Sequence, residues 1–230
     1  MTEPATAPAL FTVTGPQQPG RLSTMARPRS HGHLAADMAA LRGVGTDILV
    51  CALPDAERAA LGLADEPRLA RAAGLRFVPL PIPDLTVPPV PAVLPVLAEL
   101  AEELRAGAHI VAHCRCAIGR SSLIAVSVLI LNGIAPEAAW ASMERSRGTK
   151  VPDTEEQRAW SLELFRLVSP GGQAPAPDQY RATRPLADPA ARTEETDHGA
   201  RRHHSLADRA RQAAPHADPG RSARGPRTAG

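Results

Sequence analysis

Apolar and polar residues alternate along this chain in blocks of two kinds. Asp47-Ile48-Leu49-Val50-Cys51-Ala52-Leu53 is a short apolar run closed by Pro54, which predicts a buried strand. Asp65 to Ala73 is helical in pattern and stops at Gly74, a good residue just past a helix end. Leu75-Arg76-Phe77-Val78-Pro79-Leu80 reads as a second strand, and Pro79 pushes it toward a sheet edge. Val93, Leu94, Leu97, Leu100, Ala101 and Leu104 recur at helical spacing until Gly107. His109-Ile110-Val111-Ala112-His113 predicts another strand, followed by a loop and an apolar helix from about Ser121 to Asn132. Pro136 opens a helix carrying Trp140 and Met143, both at core spacing. Asp153 is placed to cap the last helix, with Glu156 completing a capping box and Trp160, Leu164 and Leu167 facing inward. The pattern predicts an α/β fold of three layers, a mainly parallel central sheet of about 4–5 strands with helices on both faces. No internal repeat is visible.

Composition divides the 230 residues. From Gly171 to Gly230 the only large apolar residues are Tyr180, Leu186 and Leu206, too few to offset the entropy of ordering. The expected organisation is a disordered segment 1–9, one domain over 10–170 and a disordered Pro/Ala/Arg/His-rich tail over 171–230. The tail holds ten arginines against seven acids, whereas the rest holds 16 bases and 17 acids. The basic character thus belongs to the tail, which reads as a solvated linker rather than a nucleic-acid or membrane surface. His203-His204 reads as tail composition, and the cysteines and histidines lack zinc-site spacing.

Cys51, Cys114 and Cys116 are too few for a secreted disulfide framework. Met1-Thr2-Glu3-Pro4-Ala5 lacks the features of a secretory signal, and the apolar run Leu123 to Leu131 is too short to span a bilayer. The expected compartment is the cytoplasm.

The chemistry concentrates in His113-Cys114-Arg115-Cys116-Ala117-Ile118-Gly119-Arg120-Ser121. With 25 arginines in the chain, an arginine six places after some cysteine arises readily by chance. Context raises the signal: a strand precedes Cys114, Gly119 supplies backbone freedom, and an apolar helix begins at Arg120. A thiol facing a helix N-terminus and a guanidinium ionises easily, and the loop attracts a phosphate-like anion. The Ser121 hydroxyl is placed to donate a hydrogen bond to the Cys114 sulfur. The plain alternative is a buried structural cysteine beside a surface arginine.

This segment resembles the phosphate-binding loop of the cysteine-dependent protein tyrosine phosphatases, in particular the compact dual-specificity branch in its bacterial form. The likeness runs from about Arg21 to Val168. It implies a phosphotyrosine-phosphatase-like fold, Cys114 as nucleophile, Arg120 as clamp of the phosphoryl oxygens, Ser121 assisting thiolate departure and His113 orienting the loop. Two departures concern loop shape. Cys116 and Ala117 stand where the family usually has alanine and glycine, and Ser122 stands where a glycine often follows.

Cleavage of a phosphate monoester needs an acid for the leaving oxygen. Between Glu66 and Glu99 the one carboxylate is Asp84, in Pro81-Ile82-Pro83-Asp84-Leu85, directly after a strand. The resembling phosphatases carry their general acid there. An ordinary turn aspartate is the alternative, with Glu66 or Asp55 next in line as acid. Gln157 reads either as the residue that places the hydrolytic water, as in related phosphatases, or as a solvent-exposed helix residue. Cys51 reads either as a redox partner able to form a reversible disulfide with Cys114 or as a core thiol. Cys116 reads as a small loop-lining residue, and Arg115 and Ile118 point to the rim in this loop type. Arg27 and Arg29 read as a solvated turn or as groups that greet an anion.

The expected activity is a phosphoric monoester hydrolase of the tyrosine or dual-specificity kind. Its partner would be a phosphorylated protein, phosphotyrosine first, or another phosphomonoester, and it would need no cofactor and no metal. Rhodanese-like sulfurtransfer, phosphoinositide phosphatase activity and non-catalytic phosphopeptide binding are the alternatives. The loop lacks the flanking lysines that an inositol polyphosphate favours. Oligomeric state is not legible.

Overall fold

Five strands and seven α-helices form in a computed structural model that describes residues 8–14 and 19–169. The predicted tail over 171–230, and most of the segment 1–9, lie outside the described residues. In chain order the elements are β1 (Phe11–Thr12), β2 (Arg21–Met25), α1 (Leu34–Gly43), β3 (Ile48–Cys51), α2 (Asp55–Ala60), α3 (Glu66–Ala72) and β4 (Arg76–Pro79). Then follow α4 (Val90–Arg105), β5 (His109–His113), α5 (Arg120–Leu131), α6 (Pro136–Arg147) and α7 (Glu155–Val168). The sheet order is β1-β2-β5-β3-β4. Only β1 is antiparallel to its neighbour; β2, β5, β3 and β4 run parallel.

Strand alternation divides the core between the two faces. Leu22, Ile48, Val50, Ile110 and Ala112 point to a cluster closed by α4, α5, α6 and α7, which contribute Leu97, Leu100, Val126, Trp140 and Leu164. Met25, Leu49, Cys51 and Val111 point the other way, onto Leu34, Met38 and Leu41 of α1 and Ala70 of α3. Helix α5 is buried from Arg120 to Ile130; after a polar first turn it is apolar on every face except at Ser127, as a central helix tends to be. Pro79 does lie in an edge strand, and Gly74 follows α3 at φ +81°. Among the described residues no helix is long and apolar enough to cross a membrane.

Two expectations for α7 are corrected. Its cap is Thr154, whose hydroxyl accepts the Gln157 N–H at 3.2 Å, and Asp153 stands free of that role. Leu167 is 62% exposed, because the inward stripe runs through Trp160, Leu164 and Val168 and leaves Leu167 off it.

At the amino end of the parallel strands a polar network joins β2, β3 and β5. His109 Nδ1 accepts a hydrogen bond from Arg21 Nη2 (2.9 Å), and its Nε2 is hydrogen-bonded to Ser23 Oγ (3.1 Å). Its backbone N–H donates to Asp47 Oδ2, and Arg42 donates to Asp47 Oδ1 at 2.8 Å. Burial and the Arg21 charge push His109 down to about 4.

Candidate active site

The chemistry-bearing residues gather at the carboxyl ends of three adjacent parallel strands. The segment after β5 carries Cys114 to Arg120, the helix after β3 carries Glu57, and the loop after β4 carries Asp84. A crevice outside the carboxyl ends of parallel strands is where open α/β sheets bind ligands, because chain reversals there leave loops and helix N-termini converging.

Cys114 is buried, and its sulfur lies 3.2 Å from the Ser121 hydroxyl. Burial alone would push the thiol up. The Ser121 hydroxyl and the backbone amides of Ser121, Cys116 and Ala117 outweigh it and hold the thiol below its ordinary value. The sulfur is thus set among inward amides at the start of α5, which favour its charged form over the neutral thiol.

Arg120, the first residue of α5, is also buried. Its two terminal nitrogens donate to the Glu57 carboxylate at 2.6 and 3.0 Å, and Nη1 reaches the Ile82 carbonyl at 3.2 Å. Asp84 Oδ1 stands 3.0 Å from Nη2, while the Asp84 side chain remains half exposed. The Arg120 guanidinium hydrogen-bonds Glu57 and holds it below the usual carboxylate range. Glu57 was not legible as a site residue; the one signal available is its place in the first turns after a buried strand. Asp55 is largely exposed and paired with Arg58, and Glu66 is buried on the far face of the sheet. Neither shares the Arg120 contact that Asp84 makes.

Behind the loop, His113 and Glu66 are both fully buried, with His113 Nε2 2.8 Å from Glu66 Oε1. Burial alone would lower His113. The Glu66 charge and contact with Cys51 overcome it, and the imidazole is pushed up to about 10. The Cys51, Glu66 and His113 donor atoms lie within 4.8 Å of one another. The imidazole and carboxylate face each other directly, so the cluster reads as a buried ion pair rather than a metal cradle. Cys51 belongs to this face, and Cys114 packs in the cluster on the opposite face.

No family model matches the sequence, and no curated protein matches it. Solved structures do. A kinase associated phosphatase with serine in place of its catalytic-site cysteine superposes at a TM-score of 0.59 and 21% identity, over 69% of this chain and 94% of its own. Tk-PTP in its active form superposes at 0.57 and 25% identity, over 70% and 99%. A mutant form of Tk-PTP, with one glycine changed to alanine, does so at 0.54 and 26%, over 65% and 92%. The chain has the protein tyrosine phosphatase fold.

Within this phosphatase fold the loop departures take on a shape. Ala117 sits at φ +59°, a conformation that favours glycine and costs an L-residue about 1–2 kcal/mol. The turn is thus kept although the residue is not glycine. Gly119 cannot be exchanged so freely, since a Cβ there would collide with the Asp153 carboxylate. Burial and the Asp84 charge push Asp153 up, against the pull of Arg120 and the Gly119 amide.

Gln157 is fully buried, which corrects the solvent-exposed reading. Its Nε2 donates to the Thr86 carbonyl at 3.3 Å, and its Oε1 lies near Gly119 with no hydrogen-bond partner among the described residues. Arg115 is exposed and Ile118 half-buried. Cys116 is exposed and lines a cavity of about 470 Å³ with Phe11, Arg27, Arg29 and Arg147. Arg29 is held there by the buried Asp37 at 2.5 Å, so it is not a plain solvated turn residue.

The loop after β4 is tied down in three places. Thr86 N–H and Oγ1 both donate to the Pro83 carbonyl, Gln157 holds Thr86, and Trp160 Nε1 donates to the Pro88 carbonyl at 2.6 Å. Within that turn Leu85 lies at φ +60°, an outlier for a bulky residue that costs about 1–2 kcal/mol, and its side chain is 56% exposed.

Proposed function

We propose that the protein is a phosphoric monoester hydrolase that works through a phosphocysteine, acting on phosphotyrosine and, as a dual-specificity enzyme would, on other phosphoamino acids. The observation that carries this reading is the Cys114 thiol, 3.2 Å from Ser121 and lowered by loop amides, at one mouth with Arg120 and Asp84. The substrate dianion takes Arg120 in place of the Asp84 contact and fills the amide ring, which sets phosphorus in line with sulfur. Cys114 attacks, the S–P bond forms as the P–O bond breaks, and Asp84 gives its proton to the departing oxygen. Asp84 then takes a proton from water as that water attacks phosphorus, and the Ser121 hydroxyl supports the leaving thiolate. The unpartnered Gln157 Oε1 is the acceptor that holds this water. Glu57 positions Arg120 from behind. We assign its action to the reducing cytoplasm, on phosphorylated proteins, because three cysteines are too few for a secreted disulfide framework.

Turnover of an aryl phosphate tests the proposal. Cys114→Ser abolishes it, and Asp84→Asn lowers it by roughly 10²–10⁴-fold. Near-normal turnover in Cys114→Ser, or robust thiosulfate:cyanide transfer without phosphate release, overturns it.

A further inference from the structure

Beside the Cys114 loop lies a cavity that phosphoryl transfer leaves idle. It holds about 470 Å³, within the size range of a small-molecule site, and is lined in part by Phe11, Arg27, Arg29, Asp37, Cys116 and Arg147. Its one carboxylate is already engaged, since Asp37 is buried and tied to Arg29. The other two guanidinium groups have no acidic partner among the described residues. Arg27 Nη1 reaches only the Pro28 carbonyl, at 3.4 Å. Arg147 lies 3.8 Å from the centre of the Phe11 ring and donates to the Cys116 carbonyl at 3.5 Å, while its buried Nε has no hydrogen-bond partner. Two uncompensated cations in one cavity suit an anion. The same wall carries an exposed free thiol, Cys116, where the resembling loops usually have alanine. Cations and a nucleophile thus share one space, and none of them takes part in the chemistry of Cys114, Arg120 and Asp84.

We propose that this cavity is a modification site, at which a carboxylate-bearing small thiol attaches to Cys116 as a mixed disulfide. Arg27 and Arg147 receive the carboxylates of an incoming small-molecule disulfide. The Cys116 thiolate attacks its nearer sulfur, a new S–S bond forms as the old one breaks, and the departing thiolate takes up the proton that Cys116 released. Excess free thiol reverses the exchange. The backbone amide of Cys116 supports the Cys114 sulfur, so the adduct bears on the loop without touching the nucleophile. The site does not depend on the phosphatase reading.

The test treats the full chain with two aromatic disulfides, dithiobis(nitrobenzoate), which carries two carboxylates, and the uncharged dithiodipyridine. Remaining thiols are blocked with iodoacetamide before trypsin, which cuts after Arg115 and leaves Cys114 and Cys116 on separate peptides for mass spectrometry. The readout is the rate of adduct formation at Cys116 with the anionic probe divided by that with the uncharged one. In the wild type this ratio falls about tenfold as salt rises from about 0.01 M to about 1 M, where the Debye length shrinks to about 3 Å. Joint substitution of Arg27→Gln and Arg147→Gln lowers the low-salt ratio by about the same factor. Arg27→Gln alone disturbs one weak hydrogen bond, lowers the ratio about threefold and carries the test if the double variant does not fold. A ratio unmoved by salt or by the substitutions overturns the inference, as does an adduct confined to Cys114 or Cys51.

Discussion

His109 and His113 stand at the two ends of one strand, β5, and their neighbours hold them in opposite charge states. At the amino end both ring nitrogens of His109 are hydrogen-bonded, and burial with the Arg21 charge keeps the ring neutral, its value near 4. At the carboxyl end His113 faces Glu66, and its value rises to about 10. The ring nitrogens of His113 and both Glu66 oxygens lack well-aligned hydrogen bonds among the described residues, although the two groups touch. A buried ion pair with so few supporting bonds is a weak contributor to stability, because desolvation offsets its attraction. The difference teaches where this fold accepts strain. The end away from the loop is conventionally satisfied, and the end beneath Cys114 keeps a charge in the interior.

The largest break in that comparison comes from Glu66→Ala. It strands His113 without its counter-charge and is expected to cost about 3–5 kcal/mol in a denaturant titration. A cost under 1 kcal/mol would mean that the pair is not charged. His109→Ala leaves Ser23 and Arg21 short of a partner and is expected to cost about 1–3 kcal/mol by the same measurement. The pH dependence is subtler and sharpens the contrast. The folded value of His113 lies above its unfolded value of about 6.5, so its contribution is whole below that pH and fades as pH rises toward about 10. The folded value of His109 lies below the unfolded one, so stability falls as pH drops from about 6.5 toward about 4. Denaturant midpoints across pH should show the alkaline limb flattened in Glu66→Gln and the acid limb flattened in His109→Gln. Limbs identical to wild type would remove the assignment of those two charges.

Much of the fold from β3 onward was readable because its signals were local. The apolar runs Ile48–Cys51 and Ile110–Ala112 read as buried strands, and Pro79 sits comfortably only at an edge. Strand β2 was opaque because its centre, Ser23 and Thr24, is polar and yet fully buried. Ser23 is reconciled to the interior by Thr12 at 2.9 Å and by His109, partners 11 and 86 residues away. The site divides in the same way. Cys114, Arg120 and Ser121 lie in one short loop and the helix start that follows it, so the flanking strand and helix carried them, and Asp84 stood alone in its window. Glu57 is 63 residues from Arg120 and Glu66 is 47 residues from His113. Only the pairing of β3 with β5 brings such residues together, and no local pattern encodes it. The capping of α7 was misplaced by one residue because Asp153 and Thr154 are both good caps, and the choice between them is made by contacts with the Gly119 loop.

The margins of the sheet carry a consequence for how this chain keeps to itself. At one side lies β1, two residues long; at the other lies β4, which ends in a residue that has no amide hydrogen to offer. Arg76 at the start of β4 is occupied by ion pairs with Glu99 and Glu103 of α4. Among the described residues an approaching strand from another molecule would find few free donors on either flank and a screen of charge along the second. Lateral growth of the sheet, the usual opening step of aggregation for exposed β edges, is therefore blunted on both sides at once.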